Sequence, residues 1–104
     1  KNIFNIKSQD DNLKISSIIF DHIFKNINGV FSVQYFYDEF KEKLFILYCS
    51  NINYENSVLI KIISEKLNFT FKNIFLEKLD QPIKTIAGKF KYILSESDLE
   101  KIIK

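Results

Sequence analysis

The stretch Asn26-Ile27-Asn28-Gly29-Val30-Phe31-Ser32-Val33 joins two incompatible side-chain periods. Before it, Ile15, Ile19, Ile23 and Ile27 recur at four-residue steps with Phe20 and Phe24 beside them. That spacing predicts an amphipathic helix over about 14–27 with a wide apolar stripe. After it, Phe31, Val33, Tyr35 and Tyr37 alternate with Ser32 and Gln34, which predicts a strand over 30–37. The helix must stop between the two. Gly29 suits a left-handed stop, and Lys25 suits the negative end of the helix dipole. A helix this apolar needs a sheet to cover it.

The rest of the chain supplies that sheet. Residues 2–7 alternate as a first strand with Phe4 and Ile6 on one face, and 8–12 form a polar loop. Leu44 to Cys49 is apolar on both faces, so it belongs in the centre of the sheet. The charged residues 38–43 separate it from the preceding strand by a hairpin-sized gap. A second helix over about 55–67 buries Leu59, Ile62, Ile63 and Leu67, and another strand runs from Phe69 to Leu76. The order strand, helix, strand, strand, helix, strand predicts an α+β fold. Its arrangement is a ferredoxin-like βαββαβ domain over 1–78 with a four-stranded antiparallel sheet.

Residues 79–104 read as a C-terminal extension packing on that domain. Leu79 to Lys89 holds the only proline, Pro82, and the other glycine, Gly88, so it is a connector. Phe90 to Leu94 alternates as a fifth strand, and Ser95 with Asp98 forms a capping box that opens a final helix to Lys104, with Leu99, Ile102 and Ile103 as its stripe. A bare two-layer domain leaves one sheet face to water. Ser32 and Gln34 fit such a face, but Phe45 and Leu47 do not. These four are therefore the expected partner-binding residues. They meet the extension, another domain of the parent chain, another protein, or a second copy in a homodimer.

Composition narrows the function classes. All 15 basic residues are Lys and the net charge is +2, so the guanidinium that best grips phosphate is missing and nucleic-acid binding is disfavoured. The chain contains no Met, so residue 1 is not a native start and the sequence reads as a piece of a longer protein. Cys49 alone offers neither a disulfide nor a paired-thiol metal site and points to a reducing compartment, so a cytoplasmic location is expected. No run approaches the roughly 18 apolar residues of a membrane span. Neither a nucleophile–base pair, a Gly-rich phosphate loop nor a usefully spaced carboxylate pair stands out, so no enzyme activity and no cofactor are expected. His22 reads as a helix-flank residue and Cys49 as a small buried hydrophobe. Asp10, Asp11 and Asn12 read as a solvated loop.

Residues 16–69 resemble a known family. Ser16-Ser17-Ile18-Ile19-Phe20-Asp21-His22-Ile23-Phe24-Lys25-Asn26-Ile27-Asn28-Gly29-Val30-Phe31-Ser32-Val33 is similar to the helix and Gly-Val-x-Ser-Val step of the heavy-metal-associated domain. Leu44 to Tyr48 resembles its third strand, and Leu59 to Phe69 its second helix with a closing aromatic. In that family a Cys-x-x-Cys binds a soft metal through thiolates. Leu13 and Ser16 stand at those places here, so the resemblance is to a cysteine-less variant with no metal site. Some of these accompany metal-transporting ATPases. The function expected is non-catalytic: a protein-interaction or regulatory domain. The alternatives are residual metal binding through the loop oxygens or His22, or an RNA-recognition module stacking bases on sheet aromatics such as Phe45 and Tyr92.

Overall fold

The computed structural model describes residues 3–7, 12–68, 71–84 and 88–98. The fold is α+β. Its elements are β1 (Ile3–Lys7), β2 (Asn12–Ser16), α1 (Ser17–Lys25), β3 (Val30–Asp38), β4 (Lys43–Ser50), α2 (Asn56–Leu67) and β5 (Ile74–Lys78). They form a two-stranded sheet, β1-β2, and a three-stranded sheet in the order β3-β4-β5.

The expected four-stranded antiparallel sheet is not formed, for two physical reasons. First, β1 pairs with β2 in an antiparallel hairpin, Phe4 opposite Ile15 and Ile6 opposite Leu13. Residues 14–16, expected in the helix, are strand, and Ile15 is buried from there. The outer side of β1 is tied by side chains. The Asn73 Oδ1 accepts from the Lys7 N–H at 2.9 Å, and its Nδ2 donates to the Asn5 carbonyl at 3.1 Å and to the Glu42 carbonyl. Lys7 pairs with Glu42 at 2.6 Å. Second, β4 and β5 run parallel, joined by α2 as the crossover that parallel neighbours require. The last strand also starts later than expected. Asn68 ends α2 in the left-handed region, and β5 begins only after Asn73. Residues 69–70 lie outside those described.

One core joins the layers. Tyr35, Leu44, Ile46, Tyr48, Ile74 and Leu76 on one sheet face meet Phe20, Ile23 and Phe24 of α1, Leu59 and Ile63 of α2, and Phe4, Ile6 and Ile15 of the hairpin. The helical stripe is therefore rotated from the expected one. Because α1 begins at Ser17, its buried residues are Ser17, Phe20, Ile23 and Phe24, while Ile19 is exposed.

The opposite face, apolar in the sequence, carries Phe36, Leu47 and half-buried Phe45, and Leu79, Ile83 and Leu94 pack onto it. Residues 92–94 extend the sheet beyond β3 by a parallel bridge between Tyr35 and Ile93. The Tyr35 N–H donates to the Tyr92 carbonyl at 3.0 Å, and the Leu94 N–H donates to the Tyr35 carbonyl at 2.7 Å. This contact is one bridge long, not a regular fifth strand. Residues 96–98 are helical, and the rest of the expected final helix, with Leu99, Ile102 and Ile103, lies outside the described residues. Asp98 caps this turn, accepting from the Ser95 N–H and Oγ at 2.8 Å each. The Ser95 amide, then Lys91, hold its carboxyl well below the usual carboxylate range.

A candidate interaction groove beside helix α1

Between α1, the start of β3 and the residues Pro82, Phe90 and Tyr92 lies an open groove of about 500 Å³. Its base is Phe24, Val30, Ser32 and Val33, and its rim is Asp21, Lys25, Phe31, Pro82, Phe90 and Tyr92. Each wall has a local cause. Ser16 caps α1, its Oγ accepting from the Ile18 N–H at 3.1 Å, and this fixes the start of the helix. Asp21, Phe24 and Lys25 then share one side at three- and four-residue spacing. α1 ends at Lys25, and the chain turns at Gly29, whose φ is +89°. A Cβ there would stand 2.9 Å from the Ile52 side chain, so glycine is required on both counts.

Immediately after the turn, the β3–β4 register slips between Val30 and Ser32. Such a bulge re-aims the intervening side chain. Phe31 accordingly points out of the sheet and is 57% exposed. Phe90 and Tyr92, at 48% and 42%, stand on the far wall with ring centroids 6.0 Å apart. Three large aromatic side chains thus meet water around one depression, unlike apolar residues scattered singly.

The polar chemistry of the groove is partly spent. The Tyr35 hydroxyl donates to Asp21 Oδ1 at 2.7 Å. Burial, then the Asp21 carboxylate, push the Tyr35 and Tyr92 hydroxyls well above the ordinary tyrosine range, so both remain neutral donors. Tyr92 packs edge-on to Tyr35 at 5.8 Å, which ties the far wall to the sheet. Among the described residues no carboxylate pairs with Lys25.

The four expected partner-binding residues sit on the other sheet face or beneath the groove, and they are largely covered. Gln34 is 1% exposed; its Nε2 donates to the carbonyls of Ile83 and Lys91 at 2.7 Å each, and its Oε1 accepts from the Ile83 N–H at 2.9 Å. Leu47 is buried under Leu94, and Phe45 lies between Phe36 and Phe75 at centroid distances of 5.9 and 5.3 Å. The Ser32 hydroxyl is buried without a hydrogen-bond partner and lies opposite Cys49. Burial raises the Cys49 thiol. Gln34 and Leu47 thus meet the chain's own segment after β5, whereas Phe45 and Ser32 lie among sheet neighbours.

The places of the absent thiolates do not form one site. Leu13 lies in β2 opposite Ile6, and Ser16 is the cap of α1. His22 is exposed on α1. Asp10 and Asp11 lie outside the described residues, as does the side chain of Asn12. Among the described residues no three His, Cys, Asp or Glu side chains converge, and no helix is long and apolar enough to cross a membrane.

Comparison with known proteins gives no matching family model, no matching curated protein and no matching solved structure. The groove was not legible as a site in the sequence. The exposure of Phe31 depends on a bulge, and the positions of Phe90 and Tyr92 depend on a long-range contact through Gln34.

Proposed function

We propose that the chain is a non-catalytic protein-interaction domain that holds a segment of another protein, or of another domain of its parent chain, in the groove beside α1. The observation that carries this reading is the convergence of exposed Phe31, Phe90 and Tyr92 on one concave surface. Rigid aromatics supply large contact area at low conformational cost, which suits them to recognition. Tyr92 packs edge-on against Tyr35, and the bulge sets Phe31 outward. The resemblance to cysteine-less heavy-metal-associated domains agrees with a docking role. A ferredoxin-like relationship would apply to α1, β3, β4 and α2, which run helix, hairpin, helix, and would have to accommodate the separate β1-β2 hairpin and the parallel β5.

The test is selection of short random-sequence peptides on the folded chain, followed by affinity measurement on variants. Peptides should be enriched whose binding falls at least about tenfold, or 1.4 kcal/mol, in Tyr92→Ala and Phe31→Ala but is unchanged in Phe75→Ala on the opposite face. Selection that enriches nothing, or binders indifferent to both groove variants, would remove this function.

A further inference from the structure

The groove has a wall that its aromatic side chains do not explain. Tyr35 turns its N–H and carbonyl away from β4, toward Tyr92 and Leu94. In an antiparallel pair, alternate residues face the same way. Val33, opposite Tyr48, therefore also turns its N–H and carbonyl away from β4. The β4 side agrees: the Leu44 N–H and the Tyr48 carbonyl bond toward β5 and its flanks. The bridge to residues 92–94 satisfies Tyr35 and stops there, because Lys91 turns its carbonyl to Gln34. Among the described residues nothing bonds the Val33 N–H or carbonyl on this outer edge of β3, and Val33 lines the groove.

These groups decide what can fill the groove. An occupant offering only apolar surface, such as the greasy face of a helix, would cover the Val33 amide groups without replacing their water. An extended segment replaces it with main-chain hydrogen bonds and sends alternate side chains to pockets. Charge sets a further term. Asp21 accepts from the Tyr35 hydroxyl, while Lys25, one helical turn on, has no carboxylate partner among the described residues. The Lys25 ammonium is therefore the one point on the α1 rim that attracts a carboxylate, and Asp21 one turn earlier repels a second.

Resting on the groove reading above, we infer that the open edge of β3 at Val33 takes up an extended segment of another protein as an added strand, with a large apolar side chain between Phe31 and Tyr92 and a carboxylate at Lys25. The site is thus a strand-addition groove, with α1 on one side and Pro82, Phe90 and Tyr92 closing its end.

The experiment uses the whole chain and a peptide enriched from a random-sequence display library. The peptide is resynthesised with single backbone N-methyl groups along its length. Strand addition requires N-methylation at the one position whose N–H meets the Val33 carbonyl to weaken binding at least about tenfold, with the two flanking positions neutral. Hydrogen exchange at the Val33 amide should slow on binding, and Lys25→Glu should abolish the preference for a carboxylate in the peptide. Binding that depends on Tyr92 but ignores N-methylation, with Val33 exchange unchanged, overturns strand addition and leaves the groove reading standing. Failure to obtain any Tyr92-dependent peptide overturns both. A homodimer dissolved by Val33→Pro would assign the edge to a second copy and likewise overturn the inference.

Discussion

Replacing Gln34 with alanine tests how the C-terminal segment is held. Gln34 is the polar residue that a two-layer domain would expose, yet it is buried and makes bonds of 2.7, 2.7 and 2.9 Å to the backbone of Ile83 and Lys91. Each bond is worth about 1 kcal/mol net, and stranding its partners adds a desolvation cost wherever water cannot enter. Ile83 and Lys91 are only half-buried, so water recovers part of that cost. The expected loss is about 2–4 kcal/mol, read as a lower urea midpoint at unchanged slope. The effect should also be local: exchange at the Tyr35 and Leu94 amides, which carry the bridge, should accelerate more than at Ile46 in the sheet interior. A loss below about 0.5 kcal/mol with unchanged exchange at Leu94 would mean that Leu79, Ile83 and Leu94 hold the segment by apolar contact alone, and the role given to Gln34 would be wrong.

Three further outcomes are expected. Gly29→Ala should cost about 1–3 kcal/mol in chemical denaturation, because φ is +89° and the new methyl meets Ile52; a neutral result would show that the turn relaxes freely. Asp98→Asn should cost about 0.5–2 kcal/mol at neutral pH, because the amide oxygen can still accept but the bonds to Ser95 and Lys91 lose their charge. Because the folded carboxyl titrates below its unfolded value of about 4, that difference is present above about pH 4 and should shrink to nothing on acidification, so a pH-independent difference would contradict the capping role. Single-stranded RNA should bind weakly and lose its affinity near physiological salt, as few counterions can be released by a chain of net charge +2; nanomolar binding at that salt, weakened by Phe45→Ala or Phe75→Ala, would move the function to the opposite sheet face.

The class of fold was legible because it depends on local period. The two-sided apolar run 44–49 placed β4 at the sheet centre, and the spacing of Leu59 and Ile63 placed α2. The Ser95–Asp98 box was readable because a capping pair is contained within four residues. What was not legible depends on contacts distant in sequence. Ile15 fits the stripe Ile15, Ile19, Ile23, Ile27 as well as it fits a strand, and only pairing with Phe4 decides between them. β5 lies directly beside β4 because β1 pairs with β2 instead of standing between them, and the polar side chain of Asn73 gives no sign that it bonds to Lys7, Asn5 and Glu42. Phe45 and Leu47 were recognisable as a surface needing cover, but the sequence did not name what covers them, and Ser32 and Gln34 read as facing water. Phe31 read as one more inward strand residue, because a bulge leaves no mark in the alternation.

The central claim is that recognition occurs in the groove beside α1. Amide chemical-shift mapping of the whole chain with a Tyr92-dependent peptide tests it most directly. Perturbations should concentrate on Asp21, Lys25, Phe31, Val33, Phe90 and Tyr92 and leave Phe45 and Phe75 unmoved. Shifts centred on Phe45 and Phe75, with Phe31 and Val33 silent, would place recognition on the opposite sheet face and contradict the claim.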